Sequence, residues 1–292
     1  MRPIRDILIE EYWTAFYRKV NGPENGIFGK NQNNFIPLET DAEDWYADTF
    51  LFEKDGTLYL FVEKFNNKSE MGTIAVSELK NGKFTKPIEV LKENFHLSYP
   101  VVFEENGTVY MMPETNSDNC IQVYRAEQFP LKWVKDHVIV NNIKCVDSIN
   151  YKNWIITGEL CPEKDKSVNL LIFNKYDGKP HAANPIRTSS FDDRGAGSVV
   201  TVGGKDLRPT QDCTGSIYGQ KVIFKEIIEC SEDIYSDKTI FTLKPDMIPV
   251  KGLKPLGVHT YTYLNGYEVI DVKLNRFNPR RIWWIIKKKI KK

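Results

Sequence analysis

Short apolar runs separated by turn residues fill the body of the chain. The runs are rich in Val, Ile, Tyr, Phe and Thr, and Asp-Gly, Asn-Gly, Gly-Gly and Pro break them. That is the pattern of strands and tight hairpins. "YADTFLFEKDGTLYLFVE" covers residues 46–63 and "SYPVVFEENGTVYMMPE" covers 98–114. Gly56 and Gly107 are 51 residues apart, as are Glu63 and Glu114. Further copies follow: "CVDSINYKNWIITGE" at 145–159, "GAGSVVTVGGKDLRPTQD" at 195–212 and "LGVHTYTYLNGYEVID" at 256–271. Each is a strand, a turn and a second strand. Additional strand-like pieces lie between copies, among them "GTIAVSEL", "CIQVYRAE", "VNLLIFNK" and "QKVIFKEIIE".

A period of about 40–50 residues with about four short strands per unit is propeller language. Five copies predict an all-β, five-bladed β-propeller over residues 1–275, with "EEYWTAFYRK" at 10–19 completing the last blade. A double sandwich is the rival all-β arrangement. Near-equal spacing favours the propeller.

Charge changes the picture at one end only. The net charge is +1, which argues against general nucleic-acid binding. The last 17 residues, "RFNPRRIWWIIKKKIKK", hold eight Lys/Arg and no acid, which leaves −7 for residues 1–275. From Asn278-Pro279 onward the segment reads as a helix opener followed by isoleucines on one face, two tryptophans and lysines. Residues 276–292 are therefore expected to form a basic amphipathic helix docked on an anionic membrane surface. The five cysteines form no CxxC pair and no secretory leader opens the chain, so the expected setting is the cytoplasmic face of the membrane. With four His and no Cys/His cluster, neither a metal site nor a cofactor is expected.

Propeller geometry gives the acids a common place. Inner strands line the channel, and the start of a first strand lies beside the end of its antiparallel partner. Asp48, Tyr99, Asp147 and His259 sit near first-strand starts; Glu63, Glu114 and Glu159 sit at second-strand ends. Both sets should share one face, with His96 close to Tyr99 and Glu114. For Glu159 a solvated rim position is the stronger reading, and the cysteines are expected to fill core space.

These residues also carry a resemblance. "YADTF", "HLSYP", "MPET" and "RPTQDC…YG" resemble the propeller domain found beside the glucosamine inositolphosphorylceramide transferases. They also resemble stand-alone bacterial propellers of polysaccharide loci, some assigned galactofuranosyl transfer. The likeness runs from about residue 12 to 272. The fold it implies is similar to the five-bladed propellers of glycoside hydrolase families 32, 43 and 68. Their catalytic Asp lies in the first blade, where Asp48 stands.

The implied activity is glycosyl transfer from a nucleotide-sugar, with a hexofuranose such as galactofuranose as one donor, to a lipid-linked glycan. Such a reaction needs a base for the acceptor hydroxyl and cations for the diphosphate. Asp48, Glu114 and Asp147 are the base candidates. Arg194, Arg208 and His259 are candidates for phosphate contacts. His181 and Gln211 could bond sugar or phosphate, and Trp45, Tyr46 and Tyr99 could stack on a ring. Glu63, His96 and Asp212 complete the expected site. Arg208 and the Gln211-Asp212 pair also admit a purely structural role. A furanoside hydrolase and a non-catalytic sugar-binding propeller remain the alternatives.

Overall fold

The computed structural model describes residues 8–29, 33–41 and 43–279. It forms a five-bladed β-propeller. Blade 1 runs through Asp44–Lys54, Thr57–Asn66 and Met71–Lys80, edged by Lys83–Phe84 and Ile88–Leu91. Blade 2 comprises Ser98–Glu105, Thr108–Glu114, Cys120–Gln128 and Lys132–Asn141. Blade 3 comprises Cys145–Tyr151, Trp154–Leu160, Val168–Asn174 and Arg187–Ser190. In blade 4 the inner strand is broken into Arg194–Gly195 and Val200–Val202, followed by Lys205–Asp212, Lys221–Cys230 and Tyr235–Leu243.

Blade 5 joins the two ends of the described chain. Gly257–Leu264 and Tyr267–Phe277 supply its inner half, and Ile9–Lys19 and Ile36–Pro37 its outer half. Ile9–Lys19 pairs with Tyr267–Phe277 without interruption, from Ile9 opposite Phe277 to Lys19 opposite Tyr267. This closes the ring and covers the outer edge of Tyr267–Phe277. The last strand includes Arg276 and Phe277, two residues that the sequence pattern assigns to a terminal helix. Residues 280–292, the rest of that expected helix, lie outside the described residues.

The strands read as continuous apolar runs because blades bury both faces. Leu58, Leu60 and Val62 of blade 1 face the blade 5 side, packing with Tyr17, Tyr267 and Val269. Phe61, between them, faces the blade 2 side with Met111 and Trp133. The period-2 alternation thus sorts neighbours into two inter-blade cores. Each such buried side chain contributes about 1.5–3 kcal/mol. A third core joins blades 4 and 5 around Phe224, Tyr261 and Ile270.

Removing residues 8–20 would leave Tyr267–Phe277 unpaired along its outer edge. Such a chain should lose the cooperative thermal transition of the full protein. An unchanged melting temperature by circular dichroism would refute the closure role.

Candidate functional site

One backbone device recurs at the mouth of the channel. In blade 1, Ala47 pairs with Glu63 and the next pair is Phe50 with Phe61. The inner strand therefore carries one extra residue. Blade 2 does the same between Ser98 and Val101, and blade 3 between Val146 and Ile149. Blade 5 has its irregularity at His259, between Val258 and Thr260. These are β-bulges, which bend a strand and re-aim a side chain. At the bulges Asp48, Tyr99 and Asp147 adopt φ of 51°, 51° and 50°. A left-handed conformation at a non-glycine residue costs about 1–3 kcal/mol, least for Asp.

The bulge leaves each backbone N–H turned out of its ladder. A carboxylate from the preceding blade accepts it. Asp271 Oδ2 accepts from Asp48 N at 2.8 Å, Asp48 Oδ2 from Tyr99 N at 3.2 Å and Glu114 Oε2 from Asp147 N at 3.2 Å. Asp147 in turn receives Arg194 Nε at 2.7 Å from blade 4. The Arg194 guanidinium lies 4.9 Å from the centre of the Tyr218 ring. Tyr218 meets the His259 ring edge-on, with 5.3 Å between centroids, which returns the circuit to blade 5.

Tyr99 crosses the channel from blade 2 to blade 4, where Gly197 N–H donates to its hydroxyl at 2.7 Å. Glycine is required at two positions for this crossing. A Cβ on Gly195 would collide with Asp147 O and the Tyr99 hydroxyl, and one on Gly197, at φ 120°, with Tyr261 O. Gln211 Nε2 ties Gly195 O at 2.7 Å to Asp147 Oδ2 at 3.3 Å.

His259 sits among acids. Its Nδ1 donates to Asp271 Oδ1 at 2.6 Å, and its Nε2 lies 3.5 Å from Asp48 Oδ1. Trp13 stacks on the imidazole at 3.9 Å between centroids, and Lys273 Nζ lies 5.1 Å from the centre of a Trp13 ring. Glu63, paired by register with Ala47, contacts His96 Nε2 at 3.1 Å, while His96 Nδ1 accepts from Gly72 N.

Burial and like charge shape the electrostatics. Asp48 is held well above the usual carboxylate range, first by desolvation and then by Glu63, Asp271, Asp147 and Glu114. Glu114 is pushed up to about 8, by burial first and then by Asp147, against the opposing pull of Arg194 and His96. Asp48 Oδ1 and Gln211 Oε1 are buried and accept no hydrogen bond. The open valences of this mouth are therefore acceptors. They fit hydrogen-bond donors such as sugar hydroxyls. Asp48, His259 and Asp271 also bring one potential metal-ligand atom each within 4.8 Å of one another.

The structure thus gathers Asp48, Glu63, His96, Tyr99, Glu114, Asp147, Arg194, Gln211 and His259, and separates three expected site residues from them. His181 lies at the hairpin-turn end of blade 3, in a 510 Å³ groove with Trp154 and Glu232, and its Nε2 meets Ser231 O at 2.9 Å. The stretch after Val168–Asn174 has doubled back to the far side of the disc. Arg208 is fully buried in an ion cluster, bonding Asp193 Oδ1 and Asp237 Oδ2 at 2.8 Å each, with Arg187 and Lys225 on the same acids. Its cation is spent on structure. Asp212 receives Thr214 N and Lys221 Nζ, both at 2.9 Å, at the exit of its strand.

Other expectations change as well. Tyr46 is core and so not a sugar platform, while half-buried Trp45 stacks on Phe65 at 4.5 Å. Glu159, expected at the rim, stays out of the mouth: it pairs with Cys145 rather than with Val146, one step off the channel-facing position, and accepts from Asn169. That one-residue offset turns it to the other face. Trp13, Tyr218, Lys273 and the role of Asp271 escaped the sequence reading. Asp271 ends the fifth hairpin and Tyr218 lies in the "YG" that follows "RPTQDC", so both had a signal.

Glu114 makes the site's protonation measurable. Its folded value near 8 exceeds the 4.5 of the free side chain, so between these values the folded state holds a proton that the unfolded state has lost. Stability from this group therefore falls as pH rises through that window. Glu114→Gln keeps an acceptor for Asp147 N–H and removes the titration. Its melting temperature relative to the parent should climb from pH 5 to pH 8. A gap that stays flat would show that Glu114 titrates normally.

The chain is similar to known proteins in sequence and in fold. The family model described as "Glucosamine inositolphosphorylceramide transferase 1, N-terminal" matches residues 38–246. The rice (Oryza sativa subsp. indica) glucosamine inositolphosphorylceramide transferase 1 is 32% identical over 225 residues, covering 70% of this chain and 30% of its own length. The Arabidopsis thaliana protein of that name is 32% identical over 207 residues, covering 66% and 27%. The chain thus spans less than a third of these relatives. Among solved structures, an exo-1,5-α-L-arabinanase from a bovine ruminal metagenomic library superposes with a TM-score of 0.51 at 14% identity, over 82% of this chain and 94% of that one. A thermostable family-43 glycoside hydrolase gives 0.50 at 14% identity, over 73% and 83%. At such identities they speak for the fold alone. On the match over residues 38–246, the chain belongs to the family of the N-terminal domain of glucosamine inositolphosphorylceramide transferase 1.

Proposed function

We propose that this propeller transfers a sugar from a nucleotide-sugar donor to a lipid-linked glycan, with Asp48 as the base for the acceptor hydroxyl. The observation that carries this reading is the Asp48 carboxyl. One oxygen holds Tyr99 N–H, and the other is buried and open. Its affinity for protons is raised by the surrounding acids. A base of this kind takes the proton as the acceptor oxygen attacks the anomeric carbon, and the leaving phosphate departs with its electron pair. The relatives' name couples a glucosamine to inositolphosphorylceramide, a lipid, which supports a lipid-linked acceptor.

The charge of the mouth orients the donor. Five carboxylates surround it, those of Asp48, Glu63, Glu114, Asp147 and Asp271, and Arg194 is already bound to Asp147. A diphosphate is repelled from such a floor, whereas sugar hydroxyls satisfy its acceptors. The sugar therefore enters first, and the phosphates stay at the rim near Lys273. A hexofuranose donor is part of this proposal, as is a role in surface polysaccharide synthesis.

The same rim is proposed to face an anionic membrane. Leu253 and Leu256 are 48% and 43% exposed and alternate with Lys251 and Lys254. Leu256 N–H donates to Lys273 O, so this loop borders the channel mouth. Phe277, 69% exposed, ends the last strand, and the sequence that follows, residues 280–292, holds seven Lys/Arg. Each cation near an anionic leaflet contributes about 1 kcal/mol. Residues 276–292 are proposed as the docking segment, on the cytoplasmic leaflet; the five free cysteines suit that reducing setting.

Hydrolysis of a furanoside is the second reading. It is favoured by the presence of two carboxyls of raised proton affinity, Asp48 and Glu114, in one channel.

The protein incubated with a panel of nucleotide-sugars and lipid-like acceptors should yield a glycosylated product, with linkage and anomer read by NMR. Release of free sugar from a furanoside, with no transfer from any donor, would replace transfer by hydrolysis. Asp48→Asn retains an acceptor for Tyr99 N–H and sheds a charge that burial disfavours. It should lower activity by about 10²–10⁴-fold without lowering the melting temperature; full activity would remove Asp48 from its role. Deletion of residues 280–292 should release the protein from anionic vesicles in sedimentation, and undiminished binding would refute the membrane contact.

A further inference from the structure

We propose that His259 shares with Asp48 the proton of the incoming hydroxyl, and that Asp271 is the positioning residue that fixes the imidazole for this task. The inference rests on the transfer reading for its reaction, but its geometry stands apart from it. Asp271 Oδ1 accepts His259 Nδ1–H at 2.6 Å, Thr260 N–H at 2.8 Å and His259 N–H at 3.3 Å. Its other oxygen accepts Asp48 N–H at 2.8 Å. Four donors converge on one carboxylate, so the hydrogen of this imidazole sits on Nδ1 and the lone pair on Nε2.

The ring cannot turn away from that arrangement. Trp13 lies flat against it, with centroids 3.9 Å apart and planes 12° apart. Tyr218 closes the other side edge-on at 5.3 Å. Nε2 is left facing Asp48 Oδ1 across 3.5 Å. That is too long for a good direct hydrogen bond between ring nitrogen and carboxylate. It is short enough for one oxygen to sit about 2.8 Å from both. A sugar hydroxyl in that slot donates its hydrogen to one atom and is held against the other.

The step then balances within the named groups. The acceptor O–H bond breaks and its oxygen pair forms the bond to the anomeric carbon. The bond from that carbon to the donor phosphate breaks, and the phosphate leaves with the pair. The proton rests on Nε2, where the imidazolium lies between the carboxylates of Asp48 and Asp271. The other groups around this ring are Tyr218, with Arg194 4.9 Å from its centre, and Lys273, 5.1 Å from the centre of a Trp13 ring and 3.9 Å from Glu11.

A divalent cation fits this cluster less well. Asp271 is saturated by protein donors, so a metal would find two open ligand atoms, Asp48 Oδ1 and His259 Nε2.

Nitrogen-15 NMR of the intact protein, with His259→Gln to assign the signal, reads the tautomer directly. The expected result is Nδ1–H with a bare Nε2, and a low-field Nδ1 proton that Asp271→Asn abolishes. An Nε2–H tautomer would overturn the proposal. In transfer assays, Asp271→Asn should lower kcat by about 10²-fold or more and move the pH profile, with KM little changed. Asp271→Glu should restore part of the loss. If Asp271→Asn does not fold, His259→Gln, which leaves the acid caps in place, must show the same drop in kcat. Unchanged kcat and pH profile in a folded variant would refute the role. Micromolar Mn²⁺ binding that perturbs His259 would also overturn it. Absence of transfer with every donor, alongside the expected tautomer, would instead count against the transferase reading.

Discussion

The structure depends on one recurring contact, a carboxylate of one blade that accepts the displaced backbone N–H of the next. Asp271, Asp48 and Glu114 bind Asp48, Tyr99 and Asp147 in this way. Each bulge residue is left-handed, which opposes folding, and each N–H would be an unsatisfied buried donor without its acid. Acid and bulge are therefore mutually required. The contacts also tie blade 5 to 1, 1 to 2 and 2 to 3, so the same groups that form the polar mouth clamp the ring. A carboxylate that holds one N–H through one oxygen still has a second oxygen to offer. In Asp48 that second oxygen is buried, makes no hydrogen bond and lies 3.5 Å from His259 Nε2. Function here uses the valence left over from architecture.

This double use explains what the sequence could and could not tell. The fold was legible because the hairpin repeat is a period of the backbone itself. Asp48, Tyr99, Asp147 and His259 occupy the bulges of their blades, so spacing alone brought them together. Glu159, for which the rim was the stronger reading, lies a single step off the channel-facing position, and strand parity turns it to the opposite face. Its hairpin has a different turn, and an end-residue count could not detect the offset. Arg208 and His181 lie away from the mouth for another reason. Which buried acid an arginine meets, and to which side a connecting loop returns, are tertiary facts with no local pattern. Trp13 was hidden because it enters the site from the opposite end of the chain, through the closing strand.

Electrostatic balance separates the two parts of the ligand that the proposed reaction would bring. The sequence supplied three candidate phosphate cations; the fold commits Arg208 to Asp193 and Asp237, and Arg194 to Asp147, and seats His259 against Asp271. What remains on the channel floor is a surplus of acceptors. Desolvation and mutual repulsion raise the affinity of Asp48 and Glu114 for protons. An ionised carboxylate of raised proton affinity is a stronger base for an incoming hydroxyl. A polyhydroxylated ring can donate to the open acceptors, whereas a diphosphate would add two or more charges to a site already rich in them. Lys273, which donates to Tyr218 O at 3.4 Å and lies 3.9 Å from Glu11, sits over Trp13. A ligand with a sugar at one end and phosphate at the other therefore has one favourable orientation, sugar inward. The exposed Leu253 and Leu256 lie on the loop whose Leu256 N–H donates to Lys273 O, and under the proposed membrane docking a lipid-held acceptor would approach the channel from this side.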